Sequence, residues 1–159
     1  MLSGDFKEKI KIVFISIIFF PFLLLFSPFI VFNYYRRNKF KKKYREYLQN
    51  LNGVKFFCYN NRKNSKEFIE KNVLPILHSD IKVVYLDGRI PKSDYDPKFI
   101  SETLYNIKNK KGFPYLLKIS NGEILDTSIN NDFYNTINGN KDIDFLKKKI
   151  NTFFLQEEK

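Results

Sequence analysis

Hydrophobic and polar positions divide this chain into three regimes. Residues 12–32, IVFISIIFFPFLLLFSPFIVF, carry no charge, and Ser16 and Ser27 supply their only hydroxyls. As a helix the run reaches about 31 Å, the thickness of a bilayer's hydrocarbon core. The pattern predicts one transmembrane helix over 12–33, behind a short head at 1–11. Pro21 and Pro28 would interrupt a helix in water, but membrane helices tolerate proline. No small-residue cleavage step follows the run, which separates it from a removable secretion signal. Over 34–52, Phe40, Tyr44, Tyr47, Leu48 and Leu51 recur at helical spacing among cations. This predicts a basic juxtamembrane helix that Asn52-Gly53 stops.

Beyond residue 53 the pattern alternates between strand and helix periods. VKFFCY (54–59) and IKVVYLD (81–87) read as strands. Between them, Phe68, Ile69, Val73, Ile76 and Leu77 share a helical face, interrupted by Pro75, and Ser65 is expected as the N-cap. GRIPKSDYDP (88–97) reads as a loop, after which Phe99, Ile100, Leu104 and Ile107 mark a helix. PYLLKI and EILDTS are strands around Asn121-Gly122, a dipeptide suited to a tight hairpin. INNDFYNTINGNKD (129–142) reads as a polar connection before a last helix with Ile143, Leu146, Ile150 and Phe153 on one face. The order is β-α-β-α-β-β-α. Strands separated by helices pair in parallel, and the closing hairpin adds antiparallel strands. The expected fold class is α/β, a mixed sheet flanked by helices over 53–155.

Charge adds an orientation. The net charge is +11, and residues 1–50 hold ten basic and three acidic side chains, so most of the excess is N-terminal. Lys7, Lys9 and Lys11 precede the apolar run, whereas Arg36, Arg37, Lys39, Lys41, Lys42, Lys43 and Arg45 follow it. Cations stay on the cytoplasmic side, which predicts a single-pass membrane protein with a cytoplasmic C-terminal domain. Tyr34 and Tyr35 fall where an interfacial aromatic belt belongs. The expected partners of this region are the bilayer and, at the seven cations, anionic lipid headgroups; nucleic acid is not expected.

Proline has no N–H for a sheet ladder and is confined to strand starts, edges and bulges. Pro114 opens a strand and follows Gly112-Phe113. With the hairpin behind it, KGFPYLLKISNGEILD (111–126) resembles a segment of the thioredoxin-like superfamily. VKFFCYNNRKNSKEFIEKNVLPIL (54–77) resembles that family's first core strand, active-site loop and proline-kinked helix. The resemblance implies a thioredoxin-like mixed sheet, a cis Phe113–Pro114 bond, and a backbone edge left open beside the active-site loop for an extended peptide or a thiol.

At the position of that family's Cys-x-x-Cys, this chain has Arg62-Lys63-Asn64-Ser65. Redox members attack a disulfide with one thiolate and resolve it with a second thiol. A serine hydroxyl does neither, and Cys58 is the only cysteine in the chain, so dithiol exchange within one chain is excluded. The expected function is therefore a membrane-anchored, redox-inactive, thioredoxin-like binding or scaffold module. Its partner would be another protein or an extended peptide, met by Asn61, Arg62, Ser65, Phe113 and Pro114, with no cofactor. Two alternatives stand beside it. One is a glutathione-dependent monothiol oxidoreductase using Cys58, and the other is an envelope-facing tethered thioredoxin-like protein.

The remaining candidates read as structural. One histidine, His78, and one cysteine are too few ligands for zinc. Asp87, Asp94 and Asp96 lie around a turn, where carboxylates cap helices and meet solvent. The orientation is directly testable: protease added to inside-out sealed vesicles should digest the C-terminal domain, while intact cells protect it. Digestion in intact cells instead would establish the inverted topology.

Overall fold

The computed structural model describes residues 4–139 and 141–155; the first three residues of the head and Asn140 of the polar connection lie outside them. The chain divides into two compact units, Met1–Lys43 and Tyr44–Lys159.

The first unit is helical. It holds most of α1 (Gly4–Asn50), with Pro21 and Pro28 inside the helix. Among the described residues, no single helix is long and apolar enough to cross a membrane. Two segments, Phe6–Phe22 and Leu25–Asn50, meet that test of length and composition together, with a bend of 55° between them. Pro28 accounts for the place of the break. It offers no N–H to the carbonyl of Leu24, and its ring presses on that carbonyl. The sequence led to one uninterrupted span over 12–33; the backbone is helical there, but as a bent pair. Each described apolar side chain from Phe6 to Phe32 is exposed, on every side of the helix.

The second unit is α/β. Its five-stranded mixed sheet runs β3-β2-β1-β4-β5, from β1 (Lys55–Asn60), β2 (Ile81–Asp87), β3 (Ile90–Lys92), β4 (Tyr115–Ser120) and β5 (Glu123–Ser128). β1 pairs parallel with β2 and antiparallel with β4, and the other neighbours are antiparallel. Asn121 (φ 51°) and Gly122 (φ 76°) turn the β4–β5 hairpin with the positive dihedrals that Asn-Gly supplies at least cost. Helices α2 (Lys63–Phe68), α3 (Pro97–Tyr105), α4 (Asn130–Ile137) and α5 (Ile143–Leu155) flank the sheet.

Alternation along β1 separates two cores. Phe57 and Tyr59 join Leu116, Ile69, Val73, Phe133, Leu146 and Ile150 on one face. Phe56 and Cys58 point to the other face, with Val84, Leu117 and Ile119 from their register partners and neighbours. Over that second face lie α3 and the end of α1. Phe56 meets the Tyr95 ring edge-on at 5.0 Å, Tyr47 stacks against Phe99 at 4.4 Å, and the Tyr44 hydroxyl bonds to Thr103 Oγ1 at 3.0 Å. The helical stripe at Tyr44, Tyr47 and Leu48 thus serves the core of the second unit.

Two elements exceed the sequence reading. The loop 88–97 contains the edge strand β3, with Pro91 at its centre opposite Leu86. The polar connection contains α4, anchored by buried Ile129 and Phe133. The helix after β1 also departs from a regular α-helix. It starts at Lys63 with Arg62 in the cap position, passes into a π-turn at Ile69–Val73 and ends as a 3-10 turn at Leu74–Ile76. Asn72 Nδ2 donates to the Phe68 carbonyl at 3.1 Å, and the Leu74 N–H reaches back to Ile69. A side chain inserted into the ladder displaces the register by one residue.

Phe57→Ala should cost about 3–5 kcal/mol by leaving a cavity at the centre of the first core. Tyr44→Phe should cost about 1 kcal/mol through the lost hydroxyl bond. Urea unfolding followed by tyrosine fluorescence measures both, and near-equal losses would contradict the packing described.

Candidate functional site

The β1–β4 ladder ends at the pair Cys58–Tyr115, two residues short of where Asn60 would face Phe113. Here β1 runs into the loop 60–62 and α2, while Pro114, which has no N–H, leads into β4. The Phe113–Pro114 bond is cis.

Three consecutive carbonyls of this approach are held by three consecutive residues after β5. Ser128 Oγ donates to the Gly112 carbonyl at 2.5 Å. Asn130 Nδ2 donates to Phe113 O at 2.6 Å, and the Ile129 N–H donates to Pro114 O at 3.0 Å. The Gly112 N–H goes to the Tyr115 hydroxyl at 2.9 Å. Gly112 itself is required: its φ is +105°, and a Cβ there would lie 2.9 Å from Asn130 Nδ2. Of the backbone groups at 112–114, one remains. The Phe113 N–H meets no acceptor among the described residues.

One helical turn further along α4, Tyr134 repeats the tie on the other side. Its hydroxyl bonds to Ser65 Oγ at 2.8 Å and accepts from Arg62 Nη1 at 3.3 Å. Residues four apart on a helix lie about 6 Å from each other, so α4 fixes Phe113 and the start of α2 side by side. Ser65 was expected to cap α2; instead it is buried within the first turn and bonded to Tyr134. Partial burial raises the Tyr134 phenol, but the Ser65 and Arg62 bonds and the guanidinium charge outweigh it and hold the group below the ordinary tyrosine value.

The residues singled out from sequence therefore divide. Asn61 and Arg62 are exposed, Phe113 is half-buried, and Ser65 and Pro114 are buried and form the floor. Asn61 Nδ2 reaches Asp87 Oδ1 at 3.5 Å, and Asp87 pairs with Lys92 at 2.6 Å. That hydrogen bond and charge hold the Asp87 carboxyl below its usual range. Lys66 pairs with Glu70 at 3.8 Å. Among the described residues, no carboxylate pairs with Arg62 or Lys63. Tyr134 and Asn130 were missed because their segment reads as polar. The signal was present in Ile129, Phe133 and Ile137, one apolar residue per turn.

Cys58 is separated from all this by the pleat. It is fully buried on the face opposite Tyr59, and burial drives its thiol far upward. A neutral, enclosed thiol is a small core hydrophobe. His78 is exposed beyond the helix end and bonds to Asp80 at 2.6 Å. Asp96 Oδ1 caps α3 by accepting from the Lys98 and Phe99 N–H groups. No three His, Cys, Asp or Glu side chains converge among the described residues.

The cationic segment of α1 is exposed at Arg36, Arg37, Lys39, Lys41, Lys42, Lys43 and Arg45. At about 100° per residue these positions spread around the whole circumference. They form a collar and not the charged face of an amphipathic helix.

Searches against protein-family models, characterised proteins and solved structures return no match.

Cys58 should resist maleimide in the native chain and react once the chain is unfolded in urea; rapid native labelling would contradict its burial. Tyr134→Phe should remove from the alkaline absorbance titration a tyrosinate component that appears below about pH 10. The folded chain releases that proton more readily than the unfolded one, so this phenol adds stability as pH rises towards the unfolded value. Tyr59 has the opposite sign. Burial and the nearby Glu70 push it up to about 12, so its contribution is complete below about pH 10 and is lost as pH rises through the folded value. Tyr59→Phe should therefore flatten the alkaline fall in stability, whereas Tyr134→Phe should steepen it.

Proposed function

We propose that this chain is a membrane-anchored, thiol-free thioredoxin-like domain that acts as a binding or scaffold module on the cytoplasmic side. It holds an extended segment of another protein at the gap between Asn60 and Phe113. The observation that carries this reading is the junction at α4. Asn130 and Tyr134 hold Phe113 and the 62–65 turn together, so the surface is built before any partner arrives. Preformed sites bind without the entropy cost of ordering loops.

The family reading draws support from the parallel β1–β2 pair, the antiparallel hairpin beside β1, and the cis proline next to the first turn of α2. The anchor is supported by the apolar surface exposed around α1, which in water would be a large aggregation liability. The collar of seven cations that follows suits anionic headgroups, each cation near such a surface adding about 1 kcal/mol. Monothiol chemistry with glutathione draws no support, since the Cys58 sulfur faces the opposite core.

The test is site-specific cross-linking in membranes. A photoreactive residue in place of Lys63 should give discrete protein adducts, and Arg62→Glu should remove them. The same group at Lys98, on α3 and the far face of the sheet, should give none. Equal adducts from both positions would rule out a binding surface at this gap.

A further inference from the structure

The backbone and charge accounting at the junction leaves two kinds of group unused, and together they specify a ligand. The Phe113 N–H is the one donor of residues 112–114 without an acceptor, whereas all three carbonyls are occupied. A backbone N–H without a protein partner is open to an incoming carbonyl. Beside it, Arg62 spends one N–H on the Tyr134 hydroxyl and keeps the other donors of its guanidinium fork. Two nearby carboxylates are engaged, Asp87 by Lys92 and Asn61, and Glu70 by Lys66 and the Tyr59 hydroxyl, while Glu67 lies one turn along α2 from Lys63. Among the described residues no carboxylate pairs with Arg62, whose guanidinium thus presents an unpaired positive charge.

We infer that the segment bound here is acidic. One of its backbone carbonyls accepts the Phe113 N–H, and an aspartate or glutamate further along the extended chain pairs with Arg62. Asn130 and Tyr134, one turn apart on α4, tie Phe113 and Arg62 to the same helix. Arginine suits this role because its planar fork grips a carboxylate through two parallel bonds while Tyr134 fixes its orientation. The inference rests on the peptide-binding reading above and adds the partner's charge.

The test uses the full chain in neutral detergent micelles. It is presented with matched arrays of extended nine-residue peptides that differ only in Glu against Gln at one position. Glu peptides should bind about fivefold more tightly than their Gln counterparts at low salt, the scale of one exposed charge pair. Arg62→Gln should bring the two sets to within twofold while binding of the Gln set persists, and Arg62→Lys should restore part of the preference. The Phe113 amide proton should shift downfield on addition of either set. Equal binding of Glu and Gln peptides to the unaltered chain, or a Glu preference that survives Arg62→Gln, overturns the acidic partner and leaves the peptide-binding reading in place. Absence of binding by every peptide overturns both.

Discussion

Carbonyls at Gly112, Phe113 and Pro114 would be unpaired if the segment after β5 ran elsewhere. Ser128, Ile129 and Asn130 take them in turn, and every other feature of the junction follows. Because Ile129 and Asn130 are committed to this approach, α4 starts there. Because α4 starts there, Phe133 enters the core with Ile69, and Tyr134 arrives over Ser65 and Arg62. A backbone that must be satisfied away from water is a strong constraint. Here it sets the relation between two loops that are far apart in sequence.

The sheet's period of two decides the chemistry as firmly. Cys58 and Tyr59 are neighbours in sequence, but they belong to different cores. Tyr59 lies on the face that carries α2, α4 and α5, and its hydroxyl reaches Glu70. Cys58 lies on the opposite face, where burial keeps its thiol protonated. The position of the lone sulfur is thus explained by packing. The junction on the other side is built from nitrogen and oxygen groups, among them a guanidinium and a phenol.

Most of the architecture was legible in the sequence because most of it is periodic. The strands at 54–59, 81–87 and 115–128 are apolar, β-rich runs long enough to be recognised, and Asn121-Gly122 fixes the hairpin. β3 escaped because three residues centred on a proline carry no alternation. α4 escaped because five of its eight residues are polar, and its apolar spacing at Ile129, Phe133 and Ile137 is diluted among asparagines. The candidate site was half legible. A proline before a strand marked one wall, and the 62–65 turn marked the other. The link between them was not, since nothing local says that Tyr134 meets Ser65 across 69 residues. Ser65 shows the limit well: a serine at the start of a helix reads as a cap, and only the fold reveals a nearer partner in another helix.

Pro91 in the border strand β3 has a consequence for copies of this chain crowded together. An unprotected border strand presents alternating donors and acceptors that a second molecule can extend into a continuous ribbon. At this border the row is interrupted at its midpoint by a residue with nothing to donate, and the exposed Arg89 lies beside the interruption. On the opposite border, Asp126 draws the Lys108 and Asn109 amides across the strand. Both margins of the sheet thus discourage lateral polymerisation.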